Sequence, residues 1–268
     1  MNKNIAVLGC GWLGLPLAIS LIEDGYNVKG STTREARLAI LKNAGILPFL
    51  LELTETGAKG NLSTFLEDID ILIIDVPPRL RRNPNANFVA KIAHLLKEVK
   101  NTRIKQLIFI SSTSVYGDLQ GKITETTPIA PQTESGKQLV QTEELLLKAT
   151  DFKTTIIRFA GLIGEDRHPA NFLAGKKGLK NPNAYVNLIH LEDCIAIIKT
   201  IIKQAPEQHI FNAAYPFHPT KQEYYTEATL KKGLEPPEFV PSDFKGKLIA
   251  SDLLTLVLNY QFKKHINL

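Results

Sequence analysis

Three glycines near the start of the sequence have the spacing Gly-x-Gly-x-x-Gly, in the segment IAVLGCGWLGLPLAISL. Gly9 would allow a tight turn, Gly11 would let backbone approach a pyrophosphate, and Gly14 would let a helix pack close to a strand. The N-terminus of that helix would offer free N–H groups and a partial positive charge to phosphate oxygens. Because a strand-like run precedes the glycines and a helix-like run follows them, we predict a dinucleotide-binding turn that includes Trp12 and Leu13.

The end of the second strand-like run indicates which dinucleotide this turn would hold. It reads Gly30-Ser31-Thr32-Thr33-Arg34, without the acid that accepts hydrogen bonds from a ribose 2′-hydroxyl. The three hydroxyl side chains and the guanidinium suit a 2′-phosphate instead. The pattern therefore favours NADP(H), with NAD(H) possible. In the alternative interpretation, Arg34 merely opens the next helix and Ser31 caps it.

A fourth strand-like run ends in Asp75-Val76-Pro77-Pro78. We expect the backbone of Val76 and Pro77 to flank the adenosine half of the cofactor, because ligands bind outside the carboxyl ends of the strands. The basic cluster at 79–82 follows in a loop. It could meet an anionic ligand, although a solvated loop is the preferred interpretation.

A row of hydroxyl side chains ends the next strand-like run, in FISSTSVYG at 109–117. This segment closely resembles the fifth-strand motif of the extended short-chain dehydrogenases/reductases, the NAD-dependent epimerase/dehydratase superfamily. The resemblance implies that Ser112 is the substrate-binding catalytic hydroxyl and that Ser111 borders the cofactor. RFAGLIG at 158–164 looks like the sixth strand of that family, which implies nicotinamide contacts from the backbone of Ala160 and Leu162.

Further segments are similar to the YeeZ-like subgroup of the atypical extended family members, from about residue 3 to residue 262. They are GCGWLGLPLA, SSTSVYGDLQG, EDRHPANFLAGK and VNLIHLEDC. One departure is the first motif, since most extended members have GxxGxxG. The GxGxxG spacing also resembles nucleotide-sugar and hydroxyacid dehydrogenases, which rank second because they lack the SSTSVYG strand end.

The segment SGKQLVQTEELL at 135–146 departs from the family where chemistry is expected. The family has a tyrosine that passes a proton and a lysine four residues later, on the same helix face. Aligning the family's glutamate with Glu143 puts Ser135 and Leu139 at those two positions. No tyrosine occurs between Tyr116 and Tyr185, so the ordinary mechanism is not available, although hydride transfer is not forbidden.

Few other residues could replace the missing acid. His168 follows the sixth strand-like run, in a loop where a substrate lobe would close, and histidine titrates in the useful range. The alternative is a structural histidine bonded to backbone, and His190 is interpreted in that way. A Tyr-x-x-x-Lys pattern at Tyr260 and Lys264 is attributed to chance, since it lies beyond the strands. The histidines and cysteines show no metal-ligand spacing, so no metal is expected.

Strand-like and helix-like runs alternate along the sequence and must position these residues. The strand-like runs are 4–9, 26–31, 46–53, 70–75, 106–111, 154–159 and 209–214, and the helix-like runs are 12–24, 34–43, 86–100, 137–149 and 192–203. This alternation predicts an α/β fold, a Rossmann-type doubly wound parallel sheet of about seven strands with a small C-terminal substrate lobe. We assign 1–165 and 187–214 to the dinucleotide-binding domain, and 166–186 and 215–268 to the lobe.

Composition limits the class of protein. Apolar residues make up 44% of the chain, charged residues 22%, and the net charge is +5 without a basic stripe. These values are typical of a globular protein and do not support nucleic-acid binding. No apolar run has the length of a membrane span, and we expect no signal peptide. We expect a cytoplasmic monomer or homodimer that acts on an unidentified small molecule.

Two function hypotheses remain open at this stage. In the first, the protein is an NAD(P)-dependent oxidoreductase or epimerase-related enzyme with a noncanonical acid or base, such as His168 or a water held by Ser112. In the second, it is a catalytically silent dinucleotide-binding sensor or partner-binding protein. The intact glycine turn supports both, and the missing tyrosine and lysine favour the second.

Overall fold

The computed structural model describes residues 3–80, 83–118, 121–207 and 209–267. The strands are β1 (Asn4–Leu8), β2 (Asn27–Thr32), β3 (Leu47–Leu50), β4 (Glu52–Thr54), β5 (Gly57–Lys59), β6 (Ile71–Ile74), β7 (Gln106–Ser112), β8 (Gly121–Ile123), β9 (Lys153–Phe159), β10 (Gly161–Ile163), β11 (Leu188–His190), β12 (Ile210–Ala213) and β13 (Lys247–Ile249). The α-helices are α1 (Gly14–Glu23), α2 (Leu38–Asn43), α3 (Leu62–Leu66), α4 (Phe88–Val99), α5 (Glu134–Leu147), α6 (Ala170–Leu173), α7 (Leu191–Gln204), α8 (Lys221–Lys231) and α9 (Asp252–Leu258). Within these ranges, no helix is long and apolar enough to cross a bilayer.

Seven parallel strands form the central sheet, in the order β12-β9-β7-β6-β1-β2-β3. Central strands such as β6 are apolar at every position and fully buried, because helices cover both faces of the sheet. Helices α4 and α5 bury one face, and α1 and α7 bury the other. The predicted Rossmann-type fold is confirmed.

Helix α4 shows how the sequence builds one of these layers. The side chain of Asn87 accepts a hydrogen bond from the N–H of Ala90 and so caps the first turn, as expected for an asparagine at this position. The buried positions recur at the helical spacing of three to four residues and form one apolar stripe: Phe88, Ile92, Leu95, Leu96 and Val99. This stripe packs on the sheet and leaves the start of the helix beside the carboxyl ends of the strands.

The run 46–53, predicted as one strand, is divided in the structure. β3 is the edge strand of the central sheet, and β4 pairs antiparallel with β5 in a separate hairpin. The apolar content of the run concealed this break, since periodicity alone does not show a change of partner. Leu47 and Leu50 on the edge strand are exposed, and Pro48 lies between them.

Two small sheets lie outside the central sheet and its edge hairpin: β10 pairs with β11, and β8 pairs with β13 near the C-terminus. Helix α6 follows His168 within the segment 166–186 assigned to the lobe, and it packs against α8. Helix α8 begins with a capping box between Thr220 and Glu223. Helix α9 instead packs on α7 and β12. The division into two domains stays a proposal.

A buried aspartate fastens the C-terminal segment to the start of α7. Asp193 accepts hydrogen bonds from the phenol of Tyr260 at 2.5 Å and from the backbone N–H groups of Lys263 and Lys264 at 2.8 and 3.1 Å. The amine of Lys264 pairs with Glu192 at 3.2 Å. Tyr260 and Lys264 therefore have structural partners, and neither residue lines the cleft at the strand ends.

Candidate dinucleotide-binding cleft

A cleft of about 620 Å³ lies at the carboxyl ends of the central strands. Thirteen of the predicted site residues line it: Gly9, Gly11, Trp12, Leu13, Ser31, Thr32, Thr33, Arg34, Val76, Pro77, Ser111, Ser112 and Leu162. Three do not, namely Gly14, Ala160 and His168. The cleft follows the strand ends from the glycine turn to the hydroxyl motif, so one extended ligand could contact both.

The glycine turn has one position that the fold leaves free. A Cβ atom on Gly9, whose φ is +109°, would lie 2.4 Å from the carbonyl oxygen of Asp75, and one on Gly14 would lie 2.2 Å from that of Gly9. These two glycines are required by packing. A Cβ on Gly11 would approach nothing closer than 4.0 Å, so packing does not require a glycine at that position, whereas the close approach of a pyrophosphate would. The turn therefore fits a dinucleotide.

Backbone N–H groups at the start of α1 face this free space. Four N–H groups of the turn are used internally. Gly9 donates to the hydroxyl of Ser31 at 2.9 Å, Cys10 to the carbonyl of Ser31 at 2.7 Å, Gly11 to the carbonyl of Gly9 at 2.7 Å, and Gly14 to the carboxylate of Asp75. No acceptor is found for the N–H groups of Trp12 and Leu13 within the described part of the chain. Free N–H groups at a helix N-terminus bind phosphate oxygens.

Two arginines stand at the end of β2. The side chains of Arg34 and Arg37 both line the cleft, and neither has an ion-pair partner among the described residues. Ser31 does not cap the following helix, since its hydroxyl instead holds the glycine turn. The cleft wall contains two acids, Asp75 and Glu52, and Glu52 pairs with Lys59 at 3.2 Å. This end of the cleft is therefore predominantly positive.

Asp75 lies beneath the glycine turn. Its carboxylate accepts a hydrogen bond from the N–H of Gly14, but burial is the larger effect and raises the pKa of Asp75 to about 8. Burial also raises the pKa of the neighbouring Cys10 to about 12. Both groups are therefore mainly uncharged near neutral pH, and neither opposes an anionic ligand there.

The hydroxyl of Ser112 is available to a ligand. Its oxygen accepts a hydrogen bond from the N–H of Ser114 at 3.1 Å, which leaves its own proton free to be donated into the cleft. The neighbouring Ser111 donates to Glu143 at 2.5 Å. Lys247 supports the turn that follows, by donating to the carbonyl oxygens of Thr113 and Gly117 at 3.0 and 2.6 Å.

A buried polar network supports the strand end behind Ser111. Arg158 on β9 donates from Nη2 to Glu143 at 2.6 Å and from Nη1 to the phenol of Tyr116 at 2.7 Å. Tyr116 in turn donates to Asn212 on β12 at 2.9 Å. The network thus joins α5 to β9 and β12 and fixes the wall from which Ser111 and Ser112 project.

Ser135 and Leu139, the residues that the motif alignment puts at the family's tyrosine and lysine, lie on α5, which begins one residue before Ser135. Leu139 is 5% exposed and lines the cleft, whereas Ser135 does not line it. Leu139 shares this part of the cleft with Phe88, Ile110 and Leu162. An apolar wall therefore stands at the position that the motif alignment assigns to the family's lysine.

His168 is outside the cleft and 1% exposed. Its Nδ1 accepts a hydrogen bond from the N–H of Ala170 at 3.2 Å, and its Nε2 contacts the phenol of Tyr224 at 2.9 Å. That phenol donates to the carbonyl of Ile266 at 2.6 Å, so Nε2 must be the donor to it. Burial, followed by the charge of Lys232, lowers the pKa of His168 to about 4. This geometry favours the structural alternative over proton transfer.

Two other residues have structural positions. Ala160 is 7% exposed, and its N–H donates to the carbonyl of Ala213 at 2.9 Å. His190 is the N-cap of α7, where its Nδ1 accepts from the N–H of Glu192 at 3.2 Å. Within the described ranges no cluster of acidic, histidine or cysteine side chains could hold a metal ion, and both cysteines are free.

Several cleft residues were not among the predicted site residues. The chemically distinctive ones are Arg37, Asp75, Arg79, Phe88, Lys91 and Arg167. Arg37 had a visible signal, since it follows Arg34 by three residues in a turn that begins at the strand end. Phe88 and Lys91 had none, because only tertiary packing brings the start of α4 to the cleft. Arg79 belongs to the basic cluster, of which Arg81 and Arg82 lie outside the described residues.

A parallel sheet with this strand order, a glycine turn and a hydroxyl motif at the strand ends defines a Rossmann-type NAD-binding protein of the short-chain dehydrogenase/reductase kind. The chain belongs to the NAD dependent epimerase/dehydratase family, whose profile matches residues 5–214. The resemblance inferred from the motifs is thereby confirmed.

Individual relatives agree with this assignment. The chain is 39% identical to Protein YeeZ of Escherichia coli (strain K12) over 266 residues, which cover 97% of this chain and 96% of that protein. Its fold is similar to UDP-glucuronic acid 4-epimerase from Bacillus cereus in complex with NAD, with a TM-score of 0.81, 17% identity, and coverage of 99% and 95% of the two chains. UDP-N-acetylglucosamine 4-epimerase from Bacillus cereus is also similar, with a TM-score of 0.79, 16% identity, and coverage of 99% and 93%.

Proposed function

We propose that this protein binds NAD(P)(H) in the cleft and transfers a hydride between the cofactor and a small-molecule substrate. One observation carries the proposal: a single cleft contains both the open position at Gly11 and the free hydroxyl of Ser112. The first suits a pyrophosphate, and the second suits a substrate oxygen.

The residues of the cleft have different roles in the proposed reaction. A bound nicotinamide would supply or accept the hydride. Ser112 would donate a hydrogen bond to the substrate oxygen and hold it in place, while Phe88, Ile110 and Leu139 would exclude water from the reacting atoms. The proton would come from a water held by Ser112, because no phenol lies on α5 and the nitrogens of His168 are both engaged.

We further propose a preference for NADP(H). The support is electrostatic, since Arg34 and Arg37 line the cleft without ion-pair partners in the described part of the chain, and a 2′-phosphate adds negative charge there. Replacing both arginines by glutamine should weaken NADPH binding by roughly 10- to 100-fold and leave NADH binding little changed. Isothermal titration calorimetry would measure both affinities. Equal affinity of the wild-type protein for NADPH and NADH would contradict the preference.

The hydride transfer is tested by turnover. Purified protein with NADPH would be offered a panel of small carbonyl compounds and nucleotide sugars, and loss of reduced-nicotinamide absorbance would be followed. Ser112→Ala should lower the rate by roughly 10- to 1000-fold, as loss of one hydrogen bond to the reacting oxygen does. Ser135→Ala is the matched control and should leave it unchanged. Cofactor binding with no turnover on any substrate would overturn the enzymatic part of the proposal.

A second candidate function is a dinucleotide-binding sensor or partner-binding protein without chemistry. The observation that favours it is Leu139, which puts an apolar side chain in the cleft wall where a lysine would assist catalysis. This candidate predicts cofactor affinity in the absence of turnover. A bound cofactor that changes redox state when substrate is added would exclude it. In either case we expect a cytoplasmic protein, a monomer or homodimer.

A further inference from the structure

The loop after β10 packs against the glycine turn. Gly164 and Arg167 exchange two backbone hydrogen bonds, from the N–H of Gly164 at 3.0 Å and from the N–H of Arg167 at 3.1 Å. This pairing closes a four-residue turn and fixes the backbone of Arg167. Gly164, the first residue of this turn, follows Trp12 by 152 residues in the sequence. The turn nevertheless packs directly against the side chain of Trp12.

Three contacts hold Trp12 against the loop. Its indole Nε1–H donates to the carboxylate of Asp166 at 2.9 Å. The guanidinium carbon of Arg167 lies 4.9 Å from the centre of its ring, within the range of a cation–π contact. A Cβ atom on Gly164 would come within 2.9 Å of Cζ2 of Trp12, so the absence of a side chain there allows the close approach.

The charge of Arg167 remains available. Among the described residues it has no ion-pair partner, and the carboxylate of the neighbouring Asp166 is oriented towards the indole N–H of Trp12. A guanidinium that stacks on a ring through its face keeps its N–H groups at the edge. Arg167 is exposed and lines the same cleft as Trp12. The result is a cation held beside the free N–H groups at the start of α1.

We propose that Trp12 and Arg167 form a clamp in which Arg167 binds phosphate oxygens of the dinucleotide. Trp12 belongs to the glycine turn itself, so the guanidinium stacked on it is placed beside the segment suited to a pyrophosphate. Arg167 donates to those oxygens from its edge, and Trp12 positions it. This inference rests on the proposed function, since it needs a dinucleotide in the cleft.

Ligands that contain or lack the pyrophosphate test the clamp. The affinities of NADPH, ADP-ribose and adenosine 2′-monophosphate would be measured by calorimetry for the wild-type protein and for Arg167→Gln. The variant should bind NADPH and ADP-ribose roughly 10- to 100-fold more weakly, as expected for a charge-assisted hydrogen bond. Its affinity for adenosine 2′-monophosphate should be unchanged. Arg34→Gln should instead weaken the binding of adenosine 2′-monophosphate and leave the affinity for ADP-ribose unchanged.

Lys148→Gln is the matched control, because it removes one positive charge from an exposed position at the end of α5, outside the cleft. It should alter none of the affinities. A second readout is available, since Trp12 is the single tryptophan of the chain. Its emission should change when ADP-ribose binds and stay constant when adenosine 2′-monophosphate binds.

The outcomes are distinct. Unchanged affinity of Arg167→Gln for both NADPH and ADP-ribose would overturn the clamp and would leave the proposed function standing. An equal loss of affinity for all three ligands would also overturn it, since the effect would then be general. Absence of NADPH and NADH binding by the wild-type protein would instead overturn the proposed function.

Discussion

Glu143 and Arg158 form an ion pair in which the two side chains are only 3% and 2% exposed. Removing one partner of such a pair leaves an uncompensated buried charge and typically costs about 3–5 kcal/mol. Glu143→Gln should therefore lower the free energy of unfolding by that amount, as measured by urea denaturation. Glu144→Gln, one residue further on an exposed position of α5, is the control and should change it little. Equal stability of the two variants would show that the pair does not support the fold.

A side chain at Gly11 should affect ligand binding without affecting the stability of the fold. Because a Cβ atom there would approach nothing closer than 4.0 Å, Gly11→Ala should leave the melting temperature nearly unchanged and abolish measurable dinucleotide binding. Gly14→Ala should instead destabilise the protein, since its Cβ would lie 2.2 Å from a carbonyl oxygen. Thermal unfolding and calorimetry on both variants would check this. Full cofactor affinity in Gly11→Ala would contradict the placement of the pyrophosphate.

Asp75 should make stability depend on pH. Its pKa is raised by burial from 3.8 to about 8, so the folded protein retains a proton that the unfolded chain releases between these values. The contribution of Asp75 is therefore fully favourable below about pH 4 and is lost as the pH rises towards 8. The slope is at most about 1.4 kcal/mol per pH unit. Urea denaturation across this range should show the decline, and Asp75→Asn should reduce it.

The ionisation of Asp75 should also affect the affinity for the cofactor. Above about pH 8 its ionised form places a negative charge under the glycine turn, and like charges weaken the binding of phosphates. NADPH affinity should therefore fall at high pH in the wild-type protein and stay nearly constant in Asp75→Asn. An identical pH profile for the two proteins would exclude Asp75 as the cause.

His168 should contribute to stability and not to cofactor binding. His168→Ala removes the donor to the phenol of Tyr224 and the acceptor of the N–H of Ala170, at a cost of about 1–3 kcal/mol. Tyr224→Phe removes the same phenol contact and should destabilise the protein comparably. NADPH affinity should be unchanged in both variants. A His168→Ala protein with normal stability and a lost turnover would restore the catalytic hypothesis.

The central sheet was predictable from the sequence because its strands are short apolar runs separated by longer amphipathic ones. The placement of the glycine turn and Ser112 at the strand ends was predictable for a similar reason, since each lies next to its own strand, whereas their roles stay predictions. The break at Leu51 was not, because an apolar run does not show where a strand changes partner. The burial of His168 also depends on distant residues, since Tyr224 is 56 positions away. The position of Arg167 could not be predicted either, because its contact with Trp12 joins two residues that lie far apart in the sequence.

Pro48 lies in the edge strand β3, between the exposed side chains of Leu47 and Leu50. An apolar edge strand is a template on which another chain can add, and a proline lacks one of the backbone donors that such addition requires. With only four residues in the strand, little remains for a second molecule to pair with. At high protein concentration, Pro48 is therefore expected to protect the sheet from edge-to-edge aggregation.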